Sequence, residues 1–351
     1  MVRRSVLAMF AVLAIVLGGV VVSTSAGAVV DSATIVPSPN AGTSDNELTS
    51  VSCVSASDCV AVGYTYTGPI NETLAMVWDG TVWSIVSSPN AGTSGDELYS
   101  VSCVSASQCV AVGYTYTGSA FETLVMVWDG TAWSIVSSPN AGTNDVLSSV
   151  SCVSASQCVA VGRTETGSVF ETLVMVWDGT VWSIVSSPNA GTSGDRLFSV
   201  SCVSLSDCVA VGYTRTGFVF ETLVMVWDGT AWSVVSSPSP GTSDDRLYSV
   251  SCASASDCVA VGRTETGSAF ETLVMVWDGT VWSIVSSPNA GTSNDRLESV
   301  SCVSASQCVA VGSTFTGSAY ETLVVSLTGP VPPSTTTTSP SPDQVVPAFT
   351  G

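Results

Sequence analysis

The chain has 351 residues, of which 28 are Asp or Glu and 8 are Lys or Arg, and it contains no His. A formal net charge of −20 repels phosphate backbones and anionic membranes, so binding to nucleic acid or to lipid surfaces is not expected. The length is sufficient for one large or two ordinary domains with a hydrophobic core.

The N-terminus has the pattern of a signal peptide. Arg3 and Arg4 precede an apolar run from Val6 to Val22, and Ala26-Gly27-Ala28 supplies the small residues of a cleavage site. We predict that residues 1–28 are removed and that the protein is extracellular, either secreted or associated with the cell wall. Because the run approaches the length of a transmembrane helix, a retained anchor is the alternative. Cleavage leaves six Arg against 28 acidic residues, a net charge of −22.

Most of the remaining chain is one repeated unit. The sequence "SVSCVSASQCVAVG" from Ser100 to Gly113 returns from Ser149 to Gly162 and from Ser299 to Gly312, with near copies between them. Corresponding cysteines are 50 residues apart, and once 49. A period near 50 residues is typical of the blades of a β-propeller.

The 12 cysteines are an even number in an exported chain, which indicates disulfides. They fall into six close pairs, so local pairing is the simplest assignment. A tetrahedral metal site is the competing interpretation, but the chain has no His and the pairs are spread along it. No cofactor or metal is expected. The predicted disulfides join Cys53 to Cys59, Cys103 to Cys109, Cys152 to Cys158, Cys202 to Cys208, Cys252 to Cys258, and Cys302 to Cys308.

One period contains four strand-like runs rich in Val, Ile, Thr and aromatic residues. In the second period they are Leu98 to Ser105, Cys109 to Thr115, Thr123 to Asp129 and Ala132 to Ser138. Asp129-Gly130 between the last two runs is a strong hairpin signal. The sequence therefore predicts an all-β fold built of four-stranded blades.

The two ends of the repeated region complement each other. The last period lacks the fourth run, whereas Ala33 to Asn40 ("ATIVPSPN") matches the fourth run of the other periods and has no preceding partner. We predict a six-bladed β-propeller over residues 29–328, with the N-terminal strand closing the last blade and one disulfide per blade. A monomer is expected. An open β-array is the alternative fold.

The segments "CVAVG" and "WDGTVWSIVSSP" resemble those of exported bacterial β-propeller repeat proteins. The "DGxxW" hairpin is similar to the Asp-box turn of sialidase-type propellers, although Trp78-Asp79 stands where that motif has Ser-x-Asp. The resemblance covers about Ser32 to Leu327. It implies a propeller fold in which these turns are structural.

Residues 329–351 have the composition of a Ser/Thr/Pro-rich disordered tail. The terminal "PAFTG", Pro347 to Gly351, resembles the signals by which sortases attach exported proteins to cell walls. The hydrophobic and basic segments that follow such a signal do not appear in the sequence. A truncated signal and a chance match are the two interpretations.

The predicted topology places the loops between blades beside the loops that join the second and third strands of each blade. Substitutions among the six copies concentrate in these loops, which favours a binding surface for a glycan, a cell-wall polymer or a surface protein. A solvated rim without a ligand is the alternative. One loop position is occupied in turn by Glu47, Glu97, Val146, Arg196, Arg246 and Arg296. The candidate ligand-binding residues are Tyr64, Tyr66, Tyr99, Tyr114, Tyr116, Arg163, Arg196, Arg215, Arg246, Arg263 and Arg296.

Catalysis is not expected, and no catalytic residue is assigned. Near-identical blades offer six similar carboxylates rather than one distinct pair, and the exported chain has neither His nor Lys. A structural surface-layer or adhesion module is the first alternative function, and a sialidase-like glycoside hydrolase is the second. Asp45-Asn46-Glu47 and Asp244-Asp245 could offer oxygen ligands to calcium, but they lack the spacing of a recognised loop.

Overall fold

The computed structural model describes residues 36–42, 44–291, 293–304 and 306–329. The regular secondary structure of these residues consists of β-strands, and this part of the chain has no helix that could cross a membrane. The predicted signal peptide and nearly all of the predicted tail lie outside the described residues. So do Ala33 to Ile35 of the predicted closing strand.

The described strands form six sheets in chain order, each corresponding to one blade. Blades 1 to 5 have four strands and blade 6 has three, so the predicted six-bladed, all-β architecture is confirmed with a shorter last blade.

Blade 1 contains β1 (Asn46–Ser55), β2 (Asp58–Tyr66), β3 (Asn71–Trp78) and β4 (Trp83–Val86). Blade 2 contains β5 (Asp96–Ser105), β6 (Gln108–Tyr116), β7 (Phe121–Trp128) and β8 (Trp133–Val136). Blade 3 contains β9 (Val146–Ser154), β10 (Gln157–Thr166), β11 (Val169–Trp177) and β12 (Trp182–Val185). Blade 4 contains β13 (Gly194–Ser204), β14 (Asp207–Thr216), β15 (Val219–Trp227) and β16 (Trp232–Val235). Blade 5 contains β17 (Arg246–Ser254), β18 (Asp257–Thr266), β19 (Ala269–Trp277) and β20 (Trp282–Val285). Blade 6 contains β21 (Ser293–Ser304), β22 (Gln307–Phe315) and β23 (Tyr320–Thr328).

The first hairpin of every blade is closed by a disulfide. Cys103 pairs directly with Cys109 in the antiparallel register of β5 and β6, and their Cα atoms are 4.0 Å apart. The other five blades repeat this arrangement, and the described chain has no free cysteine. The predicted pairing of one disulfide per blade is therefore confirmed.

The third and fourth strands are joined by a tight turn at Asp-Gly. In blade 2 the Asp129 Oδ1 accepts hydrogen bonds from the backbone N–H groups of Thr131 and Ala132, both at 2.8 Å. Gly130 has a φ of 94°, which a residue with a Cβ rarely adopts. This explains why Asp-Gly returns at the same place in blades 1 to 5.

The hydrophobic core lies between successive blades. We name the side of a blade that packs on the next blade its forward face, and the opposite side its rear face. The forward face of blade 1 contributes Val60 and Val62, and the rear face of blade 2 contributes Leu98, Leu124 and Met126. Burial of each Leu or Met side chain stabilises the fold by roughly 1.5–3 kcal/mol. Equivalent clusters join each later pair of blades.

The repeated "SVSC" segment links the first strands of neighbouring blades. The Ser100 Oγ accepts a hydrogen bond from the Val150 N–H at 3.2 Å, and the Ser102 Oγ accepts one from the Cys152 N–H at 3.0 Å. The same two bonds join all five pairs of successive blades. The serines therefore satisfy backbone donors that would otherwise lie unpaired against a neighbouring sheet.

The two terminal blades differ from the others in the exposure of their outer faces. On the rear face of blade 1, Val51 is 59% exposed, whereas the equivalent Val101 is 6% exposed. On the forward face of blade 6, Val324 is 64% exposed, whereas Val274 is 1% exposed. Residues 36–40, the described part of the predicted closing strand, belong to no strand and are exposed.

Candidate functional site

The two kinds of variable loop lie together at one end of the blades. The Thr143 N–H, in the loop between blades 2 and 3, donates to the Glu165 carbonyl at 3.1 Å, and the Asp145 N–H donates to the Phe121 carbonyl at 2.8 Å. Glu165 and Phe121 flank loops between second and third strands. We name this the variable end. The opposite end, with the cysteine hairpins and the Asp-Gly turns, is the cysteine end.

A buried aspartate holds each loop between blades in place. The Asp195 carboxylate accepts from the Gly191 N–H at 3.0 Å, and the Asp245 carboxylate accepts from the Gly241 N–H at 2.9 Å and the Thr264 hydroxyl at 2.6 Å. Sequence reasoning missed this role, although a glycine lies four residues before the aspartate in most copies. The loops are therefore variable in sequence but tied to the framework.

Asp244 and Asp245, which could offer oxygen ligands to calcium, are engaged in other contacts. The Asp245 carboxylate is committed to the loop, and the Asp244 carboxylate forms ion pairs with Arg246 at 2.7 Å and Arg263 at 2.8 Å. No group of three or more His, Cys, Asp or Glu residues arranged to hold a metal ion is found in the described part of the chain.

Tyrosines and phenylalanines form aromatic groups at the variable end, the larger ones in blade 2 and in blades 4 and 5. In blade 2, the ring centroids of Tyr114 and Phe121 are 4.9 Å apart, and Tyr99 and Tyr116 extend the group. In blades 4 and 5, Phe198 contacts the rings of Tyr213 and Tyr248 at 5.7 and 5.3 Å, and Tyr213 contacts Phe220 at 5.2 Å. The candidate tyrosines of blade 2 are therefore packed side chains with a partly exposed edge.

Five of the six candidate arginines lie over aromatic rings. The guanidinium carbons of Arg163 and Arg196 are 4.4 and 4.5 Å from the ring centroids of Phe170 and Phe198. Arg215, Arg246 and Arg263 make similar contacts with Phe220 and Phe270. Such stacking is favourable when the cation is partly desolvated. For four of the five arginines the ring is the phenylalanine before the repeated Glu-Thr-Leu, a signal that sequence reasoning did not use.

Arg163 and Arg196 differ from the other described arginines in lacking both an ion pair and a hydrogen bond from Nε, since Arg215 has the second and the other three have the first. Arg246 and Arg263 share Asp244, and Arg296 pairs with Glu298, but Arg163 and Arg196 form no ion pair with a described residue. Their Nε atoms are buried without a hydrogen-bond partner in this part of the chain. Burial, followed by the positive charge of Arg163, lowers the pKa of Arg196 from 12.5 to about 10. Both the burial of Arg196 and the charge of Arg163 therefore disfavour the protonated guanidinium of Arg196.

The other side of the variable end is acidic. The Tyr64 hydroxyl donates to the Glu47 carboxylate at 2.5 Å, and this bond is the main cause that raises the pKa of Tyr64 to about 12. Burial and Glu97 raise the pKa values of Tyr99 and Tyr114. Blades 1 and 2 therefore present carboxylates without arginines at the variable end, whereas blades 3 to 6 present arginines together with carboxylates such as Asp244 and Glu298.

The structure does not bring all the candidate residues together. Tyr66 is an exposed side chain in blade 1, and the Nε of Arg215 donates to the Gly217 carbonyl within its own loop. Arg263 and Arg296 line a separate pocket of about 140 Å³ between blades 5 and 6, together with Phe270, Asn294 and Tyr320.

The tryptophan pairs lie at the cysteine end. The rings of Trp177 and Trp182 are 5.7 Å apart, and Trp182 is buried in the core between blades 2 and 3. The Trp177 Nε1 donates to the Ala155 carbonyl in the cysteine hairpin at 3.2 Å. These contacts support a packing role. Sequence reasoning did not anticipate the shallow pockets between successive disulfides, one of them lined by Trp177, Leu205 and Trp227.

Together the blades define the class of protein, which is a β-propeller. No protein-family model matches the chain, and no curated protein matches its sequence. Among solved structures 242 chains match. One, described as "YCF48 bound to D1 peptide", is 12% identical, and the match covers 82% of this chain and 88% of that chain with a TM-score of 0.49. No family match supports the sialidase-type resemblance, which stays a hypothesis.

Proposed function

We propose that this β-propeller is a non-catalytic, exported binding module that recognises a glycan, a cell-wall polymer or a surface protein through its variable end. Six disulfides suggest an oxidising, extracellular environment. Secretion or association with the cell wall is part of the proposal.

The observation that carries the proposal is the pair Arg163 and Arg196. Two guanidinium groups lie over phenylalanine rings without a carboxylate partner among the described residues, and burial makes their unpaired Nε donors costly. Asp244 supplies a counter-charge to Arg246 and Arg263, and the Gly217 carbonyl accepts from Arg215, but neither kind of partner is found for Arg163 or Arg196 among the described residues. Unpaired donors beside half-buried phenylalanine rings are what a ligand with acceptor groups would satisfy.

The absence of a catalytic role is also a proposal. Two carboxylates of the variable end are engaged in structural contacts, since Asp244 binds two arginines and Glu47 accepts from Tyr64. A glycosidase normally requires two carboxylates in distinct environments that face a common substrate. Turnover of chromogenic glycosides by the purified protein would contradict this part of the proposal.

The test is binding of the purified protein to glycan and peptide arrays. We expect saturable binding that weakens about tenfold or more when Arg163→Gln and Arg196→Gln are combined, since each charge-assisted hydrogen bond contributes about 1.5–3 kcal/mol. Arg215→Gln is the matched control, because its Nε is satisfied within its own loop. Failure to bind across both libraries would favour a purely structural module. Unchanged binding by the double variant would exclude Arg163 and Arg196 from the binding site.

A further inference from the structure

The terminal blades carry the two halves of an interface that the chain already makes five times. The rear face of blade 1 exposes Leu48 and Val51, whose equivalents in blade 2 are buried against blade 1. The forward face of blade 6 exposes Val309, Val311 and Val324, and the equivalents of all three in blade 5 are buried against blade 6. The exposed faces are therefore apolar because their copies elsewhere form the core.

The backbone hydrogen bonds of the interface are also available. Between blades 5 and 6 the Ser249 Oγ accepts from the Val300 N–H, and the Ser251 Oγ accepts from the Cys302 N–H. The corresponding acceptors on blade 6 are Ser299 and Ser301, whose side chains are exposed. The corresponding donors are the N–H groups of Val51 and Cys53 on blade 1. The two faces are thus complementary in the same apolar side chains and the same hydrogen-bonding groups as the internal interfaces.

We propose that the forward face of blade 6 in one copy of the chain packs on the rear face of blade 1 in a second copy. The described residues of the single chain leave both faces open to solvent. A second copy presents the complementary face, whose residues are equivalent to those that form the five internal interfaces. Such a contact is heterologous, joining different surfaces of the two copies.

This assembly departs from the monomer expected from the sequence, which rested on closure of the last blade by the N-terminal strand. It is independent of the proposed ligand, because neither face includes Arg163 or Arg196. The chain is strongly acidic, so repulsion between copies opposes association, and added salt is expected to strengthen it by screening that repulsion.

Sedimentation velocity of the purified protein over a dilution series tests the proposal. We expect oligomers that dissociate on dilution. Val324→Glu places a charge on the face of blade 6, and Val51→Glu places one on the face of blade 1, so each variant alone is expected to sediment as a monomer. Val281→Glu is the matched control, because Val281 is also an exposed valine but lies in the turn between β19 and β20. It is expected to associate as the unmodified protein does.

Mixing the two variants gives the sharpest result. Val51→Glu keeps an intact blade 6 face and Val324→Glu keeps an intact blade 1 face, so an equimolar mixture is expected to form one-to-one dimers and nothing larger. A protein that is monomeric at every concentration overturns the proposal. In that case, lower stability of Val324→Glu than of Val281→Glu at all dilutions would indicate that the faces pack within one chain, and equal stability would indicate that they stay free.

Discussion

The two ends of each blade differ in how closely their residues repeat from one blade to the next. At the cysteine end, the disulfide, the Trp pair and the Asp-Gly turn form contacts within or between blades, and nearly the same residues return in blades 1 to 5. At the variable end, a buried aspartate fixes each loop, while the residues beside it change from carboxylate to guanidinium around the molecule. The repeated residues therefore specify the blade, and the departures from the repeat define the surface of the variable end.

The largest expected difference between the two ends is the cost of removing an aromatic side chain. Trp182→Ala is expected to lower the free energy of unfolding by roughly 3–5 kcal/mol, because it opens a cavity in the core between blades 2 and 3. Phe218→Ala at the variable end is expected to change it by less than about 0.5 kcal/mol, since Phe218 is 88% exposed. Urea unfolding of both variants measures the difference, and similar losses would contradict the division between the two ends.

Removing one disulfide has a smaller expected effect. Replacing both Cys152 and Cys158 with Ser is expected to cost about 2 kcal/mol, the chain entropy of a loop of this length. The pair Cys53 and Cys59 closes a loop of equal length in blade 1, where the rear face is exposed.

The same double replacement in blade 1 therefore serves as the control for packing. Equal losses of unfolding free energy in the two blades would indicate that loop closure accounts for the effect. A larger loss in blade 3 would assign the excess to burial of Cys158 between blades. An unchanged unfolding free energy in both would show that these bonds do not stabilise the fold.

The framework could be predicted from the sequence because its signals are local. The spacing of the cysteines predicts the hairpin, Asp-Gly predicts the turn, and the run from Cys109 to Thr115 falls within β6. The fourth strand of the last blade could not be predicted in the same way. Ala33 to Asn40 matches a fourth strand in sequence, but it lacks the preceding Asp-Gly turn that fixes the register of β8 against β7.

The contacts of the variable end could not be predicted for a different reason. Arg163 and Phe170 lie on neighbouring strands, but their stacking depends on rotamers and on the adjacent blade. The pairing of Asp244 with Arg263 joins residues 19 positions apart in the sequence. The order of charged residues in the sequence indicates where arginines lie at the variable end, but not that Arg163 and Arg196 lack the counter-charge that Arg246 and Arg263 share.

The smallest expected effects are on pH dependence, and they have opposite signs at the two ends. At the cysteine end, hydrogen bonds from Thr230 and Ala231 lower the pKa of Asp228 from 3.8 to about 2. The folded state therefore favours the carboxylate, and its contribution is complete above pH 4 and is lost as the pH falls toward 2. At the variable end, the hydrogen bond to Glu47 raises the pKa of Tyr64 from 10.0 to about 12. The folded state favours the neutral phenol, so its contribution is complete below pH 10 and is lost as the pH rises toward 12.

Unfolding free energies measured across both pH ranges separate these contributions. Asp228→Asn is expected to weaken the acid dependence and to leave the alkaline limb unchanged, whereas Tyr64→Phe is expected to do the reverse. Because Asp228 is fully exposed, solvent screens its interactions and the acid effect of this one group is expected to be small. Ultraviolet titration of tyrosinate gives an independent check on Tyr64. A Tyr64 that ionises at the ordinary pH of a free tyrosine would show that its bond to Glu47 is not maintained in solution, and the acidic side of the variable end would then be open to a ligand.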